Sequence, residues 1–230
     1  MDMKKLQILV TLILMTGSFY GFAQAYLPAV YEFSSEKSSV LTLKNGTVLE
    51  GTFNQVDQAN GIIKSFSFKT VAGETVQLKE EDVLNMYVAN SNTNYAEKAR
   101  TIGKDNMKAW DKSKLDMKKI SNGNTYFEQV EVDFRGKKRN MLLQLQASLD
   151  QGQIKIFADP WANTPERVNP ASYIVKAYNN PAYQINRWRY AEDFNMIFGD
   201  CIALIGKYKE DQRNWADFHQ HLQEFADCQK

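Results

Sequence analysis

Apolar and polar positions follow two different periods along this chain, and the change between them divides it. From residue 40 the sequence reads Val-Leu-Thr-Leu-Lys, passes Asn45-Gly46, and resumes as Thr-Val-Leu-Glu-Gly-Thr-Phe. Alternating runs on either side of Asn-Gly predict a β-hairpin whose two central turn residues take positive φ. Asn60-Gly61 opens a further run over residues 62–70, and Ala72-Gly73 separates it from 74–78. The polar stretch 79–82 has room for one helical turn, and residues 83–88 supply a fifth strand. Five short strands with tight turns predict a small curled sheet or barrel.

A second β-prone region follows. Residues 126–134, the turn Arg135-Gly136-Lys137-Lys138 and residues 141–149 predict another hairpin, and Asp150-Gln151-Gly152-Gln153 turns the chain into 154–157. Residues 158–170 hold three of the five prolines and predict a loop, after which 171–178 and an aromatic run ending near Tyr190 complete an antiparallel meander. From residue 191 the period becomes helical. Phe194, Ile197, Phe198, Cys201, Leu204 and Ile205 share one stripe, and Trp215, Phe218, Leu222 and Phe225 share another. The fold class this predicts is α+β: an N-terminal small β-barrel-like meander (26–90), a helical linker (91–123), a second antiparallel β region (124–190) and a C-terminal helical pair (191–230).

The N-terminus changes how composition is read. Lys4 and Lys5 precede an apolar run of about ten residues and a small-residue exit at Ala23-Gln24-Ala25, the order of a cleavable signal peptide over 1–25. A membrane-spanning helix needs about 20 apolar residues, so the expected product is released, with no membrane insertion after signal removal. Removing Lys4, Lys5 and Asp2 from 28 basic and 27 acidic side chains leaves a formally neutral mature chain. Neutrality argues against a nucleic-acid partner, which needs a basic excess or a concentrated basic face. The Lys-rich segment 98–119 is interleaved with Glu97, Asp105, Asp111 and Asp116, which reads as a solvated helical face.

Cys201 and Cys228 are the only cysteines, and export puts them where disulfides persist. A disulfide between them is the reading the compartment favours; the alternative is a thiol nucleophile assisted by His219 or His221. Two residues apart on a helix, the two imidazoles point about 200° apart and cannot chelate one ion, so they read as surface or half-buried groups. No cofactor or metal is implied, and no Gly-x-Ser-x-Gly, His-Glu-x-x-His or phosphate-cradling glycine loop occurs.

Two resemblances add to this. The run Leu43-Lys44-Asn45-Gly46-Thr47-Val48-Leu49-Glu50-Gly51 resembles the Sm-like and SH3-like small barrels, which implies a bent five-strand meander over about residues 40–88 and no particular activity. The C-terminal pattern Phe194, Phe198-Gly199-Asp200-Cys201 and Phe225-Ala226-Asp227-Cys228 is similar to uncharacterised exported proteins of Bacteroidetes-type bacteria. That resemblance implies a paired Cys201 and Cys228; it departs at Ile202, where many such sequences have Pro.

Candidate chemistry is sparse. Glu128 and Glu131 face opposite sides of a strand, Glu80-Glu81-Asp82 sits in a turn, and all read as solvent-facing. Trp161 and Arg167 in the proline-rich loop, with Arg187 and Trp188 before the first C-terminal helix, combine aromatic faces with guanidinium groups and form the candidate binding surface. The expectation is an exported envelope or secreted protein, a non-catalytic module binding a protein or glycan partner. The alternative is an envelope hydrolase using an unrecognised carboxylate pair, with Glu128 and Asp159 as the acids to change first.

Overall fold

The computed structural model describes residues 26–230 except 31, 92–109, 113, 135 and 163–170. The signal segment, most of the Lys-rich linker and Arg167 lie outside the described residues. The strands are β1 (Ser39–Leu43), β2 (Val48–Ala59), β3 (Ile62–Thr70), β4 (Thr75–Lys79), β5 (Val83–Ala89), β6 (Asn124–Phe134), β7 (Lys137–Leu149), β8 (Ile154–Ala158), β9 (Ser172–Ala177) and β10 (Ala182–Asn186). Among the described residues there are four α-helices, in chain order α1 (Met117–Ser121), α2 (Tyr190–Phe198), α3 (Ile202–Lys207) and α4 (Phe218–Cys228). The fold is α+β, as the two periods predict.

The ten strands among the described residues belong to one sheet, ordered β10-β9-β8-β7-β6-β5-β1-β2-β3-β4. The first five make the barrel-like meander, with the turn between β4 and β5 formed by a 3₁₀ segment, Glu80–Asp82. Leu41, Phe53, Phe66, Phe68, Val83 and Met86 fill it, each almost wholly buried. The later five close on themselves, because β10 pairs in parallel with β6 as well as antiparallel with β9. Closure removes the exposed edges that strands otherwise offer for stray pairing.

Strand alternation separates the two faces of this second barrel. Tyr126, Val130, Val132, Leu143, Leu145 and Phe157 pack in one core. Ile154, Ile156, Tyr173, Val175 and Ile185 face the other way, and onto them the C-terminal helices lay Tyr190, Phe194, Phe198, Phe218, Leu222 and Phe225. An N-terminal segment ties the parts together. Leu27 N–H donates to Gln146 O at 2.9 Å, the Gln144 amide clamps Val30 N–H and Pro28 O, and Phe33 packs against Phe53 and Phe127.

Three local expectations are corrected. At Asn45-Gly46 only Gly46 has positive φ, +86°, with Gly46 N–H bonded to Leu43 O and Leu43 N–H to Thr47 O. This is a three-residue loop with its left-handed residue last, whereas Asn60-Gly61, at φ +52° and +76°, is the turn with both residues left-handed. The helical pair is three helices, since the first apolar stripe breaks after Phe198. Gly199 weakens the helix there and Cys201, at φ −112° and ψ 88°, caps α3 through Sγ accepting from Leu204 N–H. Finally, Glu128 is not solvent-facing. It shares its strand face with Tyr126, Val130 and Val132, and its side chain is 18% exposed.

Candidate functional site

The parallel pairing that closes the second barrel spans two registered residues, Ala182 opposite Val132 and Tyr183 opposite Asp133. Beyond them the strands separate. β6 must turn back through Gly136, at φ +78°, to meet β7 antiparallel, while β10 runs into a 3₁₀ turn, Arg187–Arg189, and then α2. Their divergence opens a cleft of about 300 Å³. Asp133 and Phe134 form one wall, Tyr183, Gln184 and Asn186 the floor, and Arg189, Asp193 and Met196 the other wall. The last three recur at intervals of four and three, so they lie on one helical face, while Tyr190, Phe194, Ile197 and Phe198 bury the opposite face.

Asp133, Gln184, Asn186, Arg189 and Asp193 are each held by a second group. Asp133 Oδ1 accepts from Gly136 N–H at 2.7 Å, and Asn186 Oδ1 accepts from Trp188 N–H at 2.9 Å. Arg189 donates to Glu192 at 3.3 Å and to Asp193 at 3.1 Å. Gln184 Nε2 donates to Asp159 Oδ2 at 2.7 Å. Asp159 is fully buried; its carboxylate also accepts from the Ser172 hydroxyl and from Trp161 N–H, which fixes the start of the loop after β8. Phe134 is backed by Trp161, ring centroids 4.9 Å apart. Burial pushes the Asp193 carboxyl above its ordinary pKa, with Glu192 adding to the rise and Arg189 opposing it.

The proposed surface residues are thereby separated in role. Trp161 is half-buried and stiffens the Phe134 wall instead of offering a free face. Arg187 and Trp188 are exposed, Trp188 at 73%; they stand in sequence between the cleft residues Asn186 and Arg189 but do not themselves line the cleft. Asp133, Tyr183, Gln184, Asp193 and Met196 were not legible as site residues. The available signal was Asn186 two residues before Trp188, a capping residue where an aromatic strand enters a helix.

The acids first suspected do not form a pair. Glu128 receives Lys155 Nζ at 2.7 and 2.9 Å, a bidentate ion pair with both side chains about one fifth exposed, and Tyr126 donates to it at 3.3 Å. Asp159 is held by a separate set of partners, Trp161 N–H, the Ser172 hydroxyl and the Gln184 amide, and shares none of those with Glu128. Cys201 and Cys228 are joined in a disulfide, Cα atoms 5.9 Å apart, so neither is a free thiol. His221 is not a surface or half-buried imidazole as expected, but fully buried in an aromatic cage, with Nδ1 hydrogen-bonded to the Tyr190 hydroxyl at 2.7 Å and Nε2 unpartnered. His219 is half-buried against Tyr26. Among the described residues no three His, Cys, Asp or Glu side chains converge on a metal position, and no helix is long and apolar enough to cross a membrane. Comparison with known protein families, with curated proteins and with solved structures finds no match to this chain.

Proposed function

We propose that this chain is an exported protein that works as a binding module outside the cytoplasm, holding a glycan or protein partner in the cleft between β6, β10 and α2. The signal pattern of the first 25 residues and the Cys201–Cys228 bridge support the address, since disulfides persist in oxidising compartments. One observation carries the binding reading: Asp133, Gln184, Asn186 and Arg189 are each locked by a second hydrogen-bonded partner. Such locking lowers the ordering cost of ligand capture and characterises built sites.

The test is co-sedimentation of the purified mature protein with cell-envelope fragments, compared with Trp188→Ala. Trp188 is mostly exposed, so its loss leaves the fold intact. Pelleting that falls in the variant at unchanged melting temperature supports the reading, and equal pelleting, or none by either protein, sinks it. The hydrolase alternative has one observation in its favour. Asp133 and Asp193 line the same cleft, and Asp193 is raised in pKa, as a general acid must be. Release of new reducing ends from envelope glycans, abolished in Asp193→Asn, would put catalysis first.

A further inference from the structure

We propose that Asn45 is a self-modifying residue: the backbone nitrogen of Gly46 attacks its side-chain amide, a succinimide closes, and water opens that ring to aspartate and isoaspartate. The site lies at the turn between β1 and β2 and is independent of the cleft.

The chain holds three Asn-Gly pairs, Asn45-Gly46, Asn60-Gly61 and Asn122-Gly123. Glycine after asparagine is the permissive order, because no Cβ hinders the nitrogen that must approach the side-chain carbonyl carbon. The folded chain then discriminates among the three. Attack swings the glycine peptide out of its turn, which needs space. Asn45 and Gly46 are both exposed, and a Cβ placed on Gly46 meets nothing within 4 Å. At Gly61 the same position lies 2.5 Å from Pro160 O, so movement there is blocked by the loop after β8. Gly123 is buried with its N–H bonded to Ile120 O at 2.9 Å, and Asn122, the C-cap of α1, bonds through its own N–H to Lys118 O.

Asn45 also has an electrophile already prepared. Its Oδ1 accepts from Thr47 N–H at 2.9 Å, an Asx bond that folds the side chain back over the Gly46 peptide. The oxygen that accepts this bond is the one that turns negative when Gly46 N adds to Cγ. Thr47 N–H is therefore placed as the backbone donor of an oxyanion hole is placed. No hydrogen-bond donor reaches the Asn60 or Asn122 side chain among the described residues. The bond that opposes attack is Gly46 N–H to Leu43 O, a single bond at an exposed turn that water can replace.

The reaction needs water alone. Gly46 N gives its proton to hydroxide and its electron pair forms the N–Cγ bond; the Cγ–Nδ2 bond breaks and ammonia leaves with a proton from water. Water then opens the ring. Cleavage at Cγ gives aspartate, and cleavage at the main-chain carbonyl carbon gives isoaspartate, which lengthens the backbone of a three-residue loop by one methylene. Either product puts a carboxylate where a neutral amide stood.

The experiment incubates the full mature chain, disulfide intact, at pH 7.5 beside three synthetic peptides that span the three pairs. Peptide mapping by mass spectrometry follows each site, since exchange of the amide for a carboxyl adds one mass unit, and enzymatic methylation of isoaspartate separates the two products. In the folded protein Asn45 should convert at its peptide's rate or faster, while Asn60 and Asn122 fall at least about tenfold below theirs. Isoaspartate should appear at position 45. Asn45→Gln, whose longer side chain would have to close a larger ring, should remove the mass gain. Conversion of Asn45 more slowly than its peptide, or later than Asn60 or Asn122, overturns the proposal, and so does a mass gain that persists in Asn45→Gln.

Discussion

Opening the Cys201–Cys228 bridge without disturbing its neighbours isolates what it contributes to the C-terminal helices. The suitable variant is Cys201→Ser with Cys228→Ala. Cys201 is 1% exposed and its Sγ accepts from Leu204 N–H, so serine keeps an acceptor at the cap of α3, while Cys228 is exposed and its truncation leaves no cavity. The sequence separation is 27 residues. On the chain-entropy model, closing a loop of that size lowers the entropy of the unfolded chain by about 12 cal/mol/K, or about 3.5 kcal/mol at 25 °C. The change from sulfur to hydroxyl at a buried cap alters this by about 1 kcal/mol or less. For a chain of about 200 residues each kcal/mol moves the melting temperature about 2–4 °C, so the variant should melt about 7–14 °C lower. Calorimetry of both proteins, each with and without reductant, is the assay, and reductant should lower the wild type to the variant's value and leave the variant unmoved. A variant melting within 2 °C of the oxidised wild type would refute the argument, because α4 would then hold its place by Phe218, Leu222 and Phe225 alone.

Two further perturbations test the interior. His221 is lowered in pKa chiefly by burial, with Asp217 and Glu224 opposing and Lys207 reinforcing, and its Nε2 has no partner to stabilise a proton. The unfolded chain therefore takes up a proton near pH 6.5 that the folded chain refuses, so His221 favours folding above that value and loses this contribution as pH falls through it. The melting-temperature advantage of wild type over His221→Asn should be largest near pH 7.5 and shrink towards pH 5; a pH-independent difference contradicts this. At the β2–β3 turn, a Cβ on Gly61 would stand 2.5 Å from Pro160 O at a left-handed φ, whereas one on Gly46 meets nothing within 4 Å. Gly61→Ala should cost about 2–4 kcal/mol in urea unfolding and Gly46→Ala about 1, and equal costs would show that the hairpin does not press on the loop after β8.

Where the chain makes local contacts, its sequence was informative. The runs 62–70, 74–78 and 83–88 coincide with β3, β4 and β5 to within a residue or so because hairpin partners sit close in sequence and glycine marks the turns between them. Residues 54–59 were harder to place, since Asn54, Gln55, Asp57 and Gln58 carry little apolar signal. They are strand because β3 supplies their partners across two irregular registers. The stripe from Phe194 to Ile205 read as one helix because periodicity is blind to a three-residue break, and the break shows only in Ile202, apolar yet 84% exposed. Least legible was the parallel union of β6 and β10, about fifty residues apart, whose two registered pairs leave no pattern in either strand.

That union nonetheless determines where the candidate site lies. A barrel that must close needs β10 beside β6, but α2 must cross the outside of the same barrel to bury Tyr190, Phe194 and Phe198, so the chain leaves β6 as soon as closure is achieved. The gap between the departing strand and the Gly136 turn is thus a consequence of packing the helix, and its walls are as rigid as the cores behind them. Arg189, Asp193 and Met196 face the gap because the apolar stripe on the opposite side of α2 fixes its rotation about its own axis. Side chains on that face are free to vary without disturbing the core. Chemistry can therefore be chosen there independently of stability, and the carboxylate, guanidinium and thioether in that row are better evidence of binding than any residue buried beneath them.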